Sequence, residues 1–148
     1  MHLLTQVSSM RAVICREYGP AEKLEVAEVP EPHPGELEVL VDVHAAAVNF
    51  PDLLIIQNRY QLSVAPPFTP GSELAGIVRA VGPGVEDIVP GDRVCGQVLI
   101  GAFAEQAILP AAILGYHSAF WASVAPFFNA LANMPTLIEK IERYAGAA

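Results

Sequence analysis

From Met10 to Pro110 the chain runs in short apolar bursts cut by proline and glycine, and this punctuation constrains the fold more than any other feature. Proline presets φ and glycine frees it, so each cluster ends one extended run and turns the chain towards the next. That is the pattern of many short antiparallel strands. Pro34-Gly35, Gly82-Pro83-Gly84 and Pro90-Gly91-Asp92 are turn chemistry of this kind, the second reading as a hairpin turn. Between them Glu73 to Val81, Arg93 to Val98 and Phe103 to Leu109 have strand length. Leu37, Val39, Val41 and Val43 alternate with Glu36, Glu38, Asp42 and His44, which predicts a half-buried strand with the aliphatic side chains on one face. One segment departs from the rhythm. Asn49-Phe50-Pro51-Asp52 followed by Leu53 to Ile56 reads as a short helix, capped near Asn49 or Phe50, with Pro51 in its first turn and Asn58 as its stop. Numerous strands with one brief helix predict a mainly β domain, a small, partly open β-barrel.

The rhythm stops near Pro110, the candidate domain boundary. No charged residue occurs between Glu105 and Glu139. As a membrane span this stretch fails, because Pro110, Pro126 and Pro135 interrupt it and Gln106, His117, Asn129 and Asn133 are costly in hydrocarbon. Phe120, Val124, Phe127, Phe128 and Leu131 recur at helical spacing, and Thr136 with Glu139 forms a capping box before the stripe Leu137, Ile138, Ile141 and Tyr144. Residues 111–148 are therefore expected to be a short α-helical tail with sticky faces. That apolar row is larger than a small barrel can cover alone, so a homodimer or a partner chain is expected to bind through 111–148.

The chain is 53% hydrophobic and 16% charged over 148 residues, enough for one packed core and hardly for two. Its net charge of −8 repels phosphate backbones and anionic headgroups, which argues against nucleic acid and membrane surfaces as partners. Cys15 and Cys95 read as reduced structural thiols, and no signal peptide is legible in residues 1–9, so a cytoplasmic location is the default expectation. His2, His33, His44 and His117 lack mutual ligand spacing. The C-x-x-C, H-E-x-x-H and G-x-S-x-G motifs are missing, and so is the phosphate-cradling G-x-G-x-x-G, since Gly82-Pro83-Gly84 is followed by Glu86 and Asp87.

Other motifs are present. Asn49-Phe50-Pro51-Asp52-Leu53-Leu54, Arg59-Tyr60-Gln61 and Pro67-Phe68-Thr69-Pro70-Gly71-Ser72-Glu73-Leu74-Ala75-Gly76 are followed by Val81-Gly82-Pro83-Gly84-Val85, Gly91-Asp92-Arg93-Val94 and Gly101-Ala102-Phe103-Ala104-Glu105. In order and spacing these runs resemble the N-terminal GroES-like barrel of the medium-chain dehydrogenase/reductase superfamily, in its NADPH:quinone oxidoreductase branch. The resemblance begins at Met10, leaving residues 1–9 as an N-terminal extension, and ends near Pro110, where that family continues into a nucleotide-binding domain with a glycine-rich turn. The tail resembles only a late helix of that domain, which implies a chain truncated relative to the family.

By resemblance, Asn49, Asp52 and Tyr60 line the cleft where nicotinamide and substrate meet. Tyr60 would be the catalytic hydrogen-bond donor to developing oxyanion charge, Asn49 would bind the ribose or carboxamide of NADPH, and Asp52 would orient its neighbours. Read from the residues alone, Asn49 and Asp52 also suit a helix cap, both roles being compatible, and Tyr60 suits an ordinary loop tyrosine. Leu54 stands where some relatives carry a second tyrosine, and Glu73 is expected to hold local backbone. Where zinc-dependent relatives place histidine and cysteine ligands, this chain has Ser72 and the Asn49 region, so no zinc is expected. The resemblance implies NADPH-dependent hydride transfer to a quinone or carbonyl substrate, with the chain alone inactive for want of the nucleotide fold. The alternative is a non-catalytic binding or assembly module on the same barrel.

Overall fold

The computed structural model describes residues 8–114. The aliphatic alternation and the turn residues generate six strands and one α-helix there: β1 (Ser9–Ile14), β2 (Glu25–Pro30), β3 (Glu38–Ala47), α1 (Phe50–Ile56), β4 (Glu73–Val81), β5 (Arg93–Gln97) and β6 (Gln106–Pro110). β1 and β2 pair antiparallel from Ser9 opposite Pro30 to Ile14 opposite Glu25. The other four form an antiparallel sheet in the order β5-β4-β3-β6. Backbone bonds stitch β1 to the segments that lead into β4 and β6. Ala12 bridges Ala104, Cys15 bridges Phe68, and the Val13 N–H donates to the Phe103 carbonyl at 2.8 Å. The sheets do not close, which is the partly open barrel that the turn spacing predicts.

Val13, Val39, Val41, Leu74, Val78, Val94 and Leu109 fill the interior with almost no exposure. Burying each such side chain stabilises the fold by about 1.5–3 kcal/mol before ordering costs. β3 is the central strand, flanked by β4 and β6, and Leu40 is buried along with its predicted inward-facing neighbours. Between Val43 and Ala45 its register against β4 shifts, and Gly76 lies opposite Val43. A Cβ on Gly76 would come within 2.0 Å of the Asp42 carbonyl oxygen, so only glycine allows the two backbones to approach this closely.

Three expectations are corrected. Leu37 does not belong to the inward face of β3: it precedes the strand, is 56% exposed and adopts φ 58°, as a turn residue. Its N–H donates to the Pro83 carbonyl and its carbonyl accepts from the Ala111 N–H, so backbone pairing holds it where side-chain burial does not. Gly82-Pro83-Gly84 does not close a tight hairpin between β4 and β5. It docks on the Pro34-Gly35 turn, the Gly82 N–H donating to the Glu38 carbonyl, and the chain continues through Asp92 before β5 begins. The strand expected over Phe103 to Leu109 starts later, at Gln106, because Phe103 to Glu105 are engaged with β1.

Ala111–Ile113 forms one 3₁₀ turn, and Leu114 is buried in the main core. The expected helices beyond it, with Phe120 to Leu131, the Thr136 capping box and the association through 111–148, lie outside the described residues.

Candidate functional site

Local chemistry places α1. Asn49 keeps an extended backbone (φ −119°, ψ 161°), Pro51 occupies the first turn, and the Asp52 carboxylate accepts the Asn49 N–H at 2.8 Å, the reciprocal contact of a capping box. The helix ends where Asn58 turns to φ 53°. Its inner face, Ile55 and Ile56, packs on Cys15 and Phe68, and the Arg59 N–H folds back to the Leu54 carbonyl at 2.7 Å. That reversal brings Tyr60 against the same cluster, half-buried.

Long-range pairing then supplies the opposite wall. Ser72 Oγ donates to Asp52 Oδ1 at 2.9 Å and ties α1 to the start of β4, twenty residues away in sequence. Asp52 is only 3% exposed. Burial raises its carboxyl pKa above the ordinary value of 3.8; the hydrogen bonds from Asn49 and Ser72 pull it back, and the Glu73 charge pushes it up again. In the β4–β5 ladder Glu73 pairs with Gln97, which puts both side chains on one face.

Between these walls lies a cleft of about 430 Å³. Asn49, Phe50, Ile55 and Tyr60 line it from the helix side, and Ser72, Glu73, Gln97, Val98 and Leu99 from the sheet side. The Asn49 side-chain Nδ2 is buried, with almost no exposed surface of its own, and has no hydrogen-bond partner among the described residues. An unmatched buried donor costs about 1–3 kcal/mol. Tyr60 Oη receives only a long 3.5 Å contact from Gln61 Nε2, which leaves its own proton to donate.

The structure thus brings Asn49 and Tyr60 together in the cleft. Asp52 lies behind the wall and not on it as the resemblance implies; it caps α1 through the Asn49 N–H and holds the Ser72 hydroxyl, so the cap and the orienting of neighbours are both seen. Glu73, expected to hold backbone, lines the cleft instead. Phe50, read in the sequence only as a cap residue, and the run Gln97 to Leu99 also line the cleft. The polar Gln97 at the end of an apolar strand was their one signal.

Among the described residues, no three of His, Cys, Asp or Glu converge in a way that could hold a metal ion. Cys15 and Cys95 are buried; burial pushes both thiols up, Glu17 adding to the effect at Cys15, so neither is an activated nucleophile.

Residues 35–119 match the family model described as the alcohol dehydrogenase GroES-like domain. The rat (Rattus norvegicus) quinone oxidoreductase is 41% identical over 101 residues, a match covering 67% of this chain and 31% of that protein. Quinone oxidoreductase-like protein 2 of Mus musculus is 42% identical over 98 residues, covering 66% of this chain and 27% of the relative. The chain therefore spans about a third or less of the curated relatives that it matches. The crystal structure of Escherichia coli quinone oxidoreductase complexed with NADPH superposes with a TM-score of 0.70 at 32% identity, over 74% of this chain and 34% of that one. The barrel agrees with these matches, and the chain belongs to the alcohol dehydrogenase GroES-like domain family, as a quinone oxidoreductase-like member of the medium-chain dehydrogenase/reductase superfamily.

Proposed function

We propose that this chain forms the barrel side of a zinc-independent, NADPH-dependent quinone or enone reductase site, in which the nicotinamide and the acceptor carbonyl meet in the cleft between α1 and the β4–β5 edge. The observation that carries the reading is the convergence of Asn49 and Tyr60 on one cleft, with the Tyr60 hydroxyl proton left to donate. An amide there suits a carboxamide or ribose oxygen, each an acceptor of suitable size for one donor. When bound, the dinucleotide supplies the hydride.

The residues of this chain do the rest. Asn49 holds and orients the acceptor oxygen of the ligand. Tyr60 donates its phenolic proton in a hydrogen bond to the carbonyl oxygen on which charge develops, and Phe50, Ile55, Val98 and Leu99 supply apolar walls that exclude water around it. Asp52 is a positioning residue: it fixes Asn49 and Ser72 without touching ligand. Zinc has no place in this reading, since Ser72 offers a hydroxyl already committed to Asp52, and Asn49 an amide, in place of imidazole and thiolate.

The sequence has no glycine-rich phosphate loop and carries a net charge of −8. The isolated 148-residue chain is thus expected to bind NADPH no more tightly than about millimolar, roughly −4 kcal/mol. Calorimetry on this chain, alone and with a glycine-rich βαβ nucleotide-binding segment added in trans or fused, tests the proposal. The expected result is tight NADPH binding and quinone-dependent NADPH oxidation only when that segment is present, with Tyr60→Phe lowering kcat. A low-micromolar dissociation constant for the chain alone would refute it.

A further inference from the structure

The wall of the cleft carries a negative charge and no positive one. Glu73 contributes a carboxylate from β4, Asp52 lies just behind it, and none of the lining residues is Lys, Arg or His. Phe50 and Tyr60 add two aromatic rings, Phe50 being 71% exposed and so open to a ligand. Ring faces with a carboxylate beside them are the chemistry that recognises an organic cation: the quadrupole of each ring attracts positive charge, and the carboxylate adds Coulomb attraction within a partly desolvated groove.

A reduced nicotinamide ring is neutral, whereas the oxidised ring is a pyridinium cation. Building on the function proposed above, we infer that Glu73 makes this cleft selective for a flat N-alkylpyridinium, the oxidised ring, over a neutral ring of the same shape, and that it disfavours ring compounds bearing a carboxylate. Glu73 is then the specificity-determining residue of the cleft. Reduction is favoured because the ring left after the hydride has gone is the form that the wall holds best, and the acceptors that fit are neutral quinones and enones.

The test is an NMR titration of the 148-residue chain with three fragments, read at the Asn49 side-chain amide and the Tyr60 ring. The fragments are ring-N-methylated nicotinamide (cationic), nicotinamide (neutral) and nicotinate (anionic). The cation is expected to bind about five-fold more tightly than nicotinamide, the upper end for a solvent-accessible charge pair, with nicotinate the weakest. Added salt should shrink that ratio, Glu73→Asp should preserve the order, and Glu73→Gln, checked for folding by circular dichroism, should cut the ratio to about two-fold or less, the part that the rings supply. Equal binding of both rings by the parent chain would overturn the charge preference and leave the cleft as the ring site. No shift at Asn49 with any fragment would overturn both proposals. A preference that survives undiminished in folded Glu73→Gln would assign it to the aromatic rings and overturn the role of Glu73. If Glu73→Gln does not fold, a cation-to-neutral ratio in the parent chain that ignores salt is the refuting result.

Discussion

Replacing Asp52 with alanine tests whether one buried carboxylate organises the cleft. The Asn49 N–H at 2.8 Å and the Ser72 hydroxyl at 2.9 Å end on it, the Ser72 backbone N–H adding a weaker bond, in a position that is 3% exposed. Alanine leaves both without an acceptor, and each costs about 1–3 kcal/mol, part of it offset by water reaching the space vacated, so the expected loss is about 2–4 kcal/mol. Asparagine keeps the shape. Its carbonyl can accept from Asn49, and the Ser72 hydroxyl can rotate to accept from its amide, so Asp52→Asn should cost under about 1 kcal/mol at neutral pH. Removing the stranded hydroxyl as well, in Asp52→Ala with Ser72→Ala, should recover about 1 kcal/mol, a coupling that only a direct contact produces. Urea unfolding followed by circular dichroism reads all three; a 3 kcal/mol loss moves the midpoint by about 1–3 M for the slopes usual at this size. The carboxyl pKa is raised in the folded chain, so Asp52 contributes stability that is complete below 3.8 and is lost as pH rises through the folded value. The deficit of Asp52→Asn should therefore shrink as pH rises through that window. A loss below about 1 kcal/mol for Asp52→Ala, or a second substitution that adds its full separate cost, would show that this carboxylate does not hold the two elements together.

Gly76→Ala should cost about 2–3 kcal/mol or more, seen as a lower melting temperature, because the new Cβ meets the Asp42 carbonyl oxygen at 2.0 Å and β3 must move to admit it; a neutral effect would refute the close approach. Burial opposes ionisation of Glu105, but the hydrogen bonds and charge of Arg11 outweigh it and hold its pKa low, so the contribution of Glu105 is present above its ordinary value of 4.5 and lost as pH falls through the folded one. Arg11→Met should flatten that acid limb of the stability curve, and an unchanged limb would assign it elsewhere. Metal analysis of protein purified without added zinc should find no stoichiometric zinc, and one tightly held ion per chain would overturn the reading of Ser72 as a replaced ligand.

Helix α1 was readable because everything that makes it is adjacent in sequence: the cap at Asn49, the proline at the first turn, the reciprocal carboxylate at Asp52 and the stop at Asn58. β4 was readable for the same reason, a run of nine residues, Glu73–Val81, between turn residues, with one apolar face. The mainly β barrel followed from turn spacing alone, whereas Asn49 and Tyr60 as residues of one cleft came only from the family resemblance. What failed was what depends on distant backbone. Leu37 continues the alternation of β3, yet two main-chain bonds to Pro83 and Ala111 hold it in a turn and expose it, since hydrogen bonding there outweighs the burial of one leucine. Asp52 looked like a lining residue until Ser72 was found to meet it from the other wall. Glu73 looked structural until the β4–β5 register set it beside Gln97, facing the cleft. Periodicity along one strand tells which side chains share a face, but only the pairing of strands far apart in the chain decides which side of the sheet that face meets, and so whether a carboxylate sits in solvent or in a site.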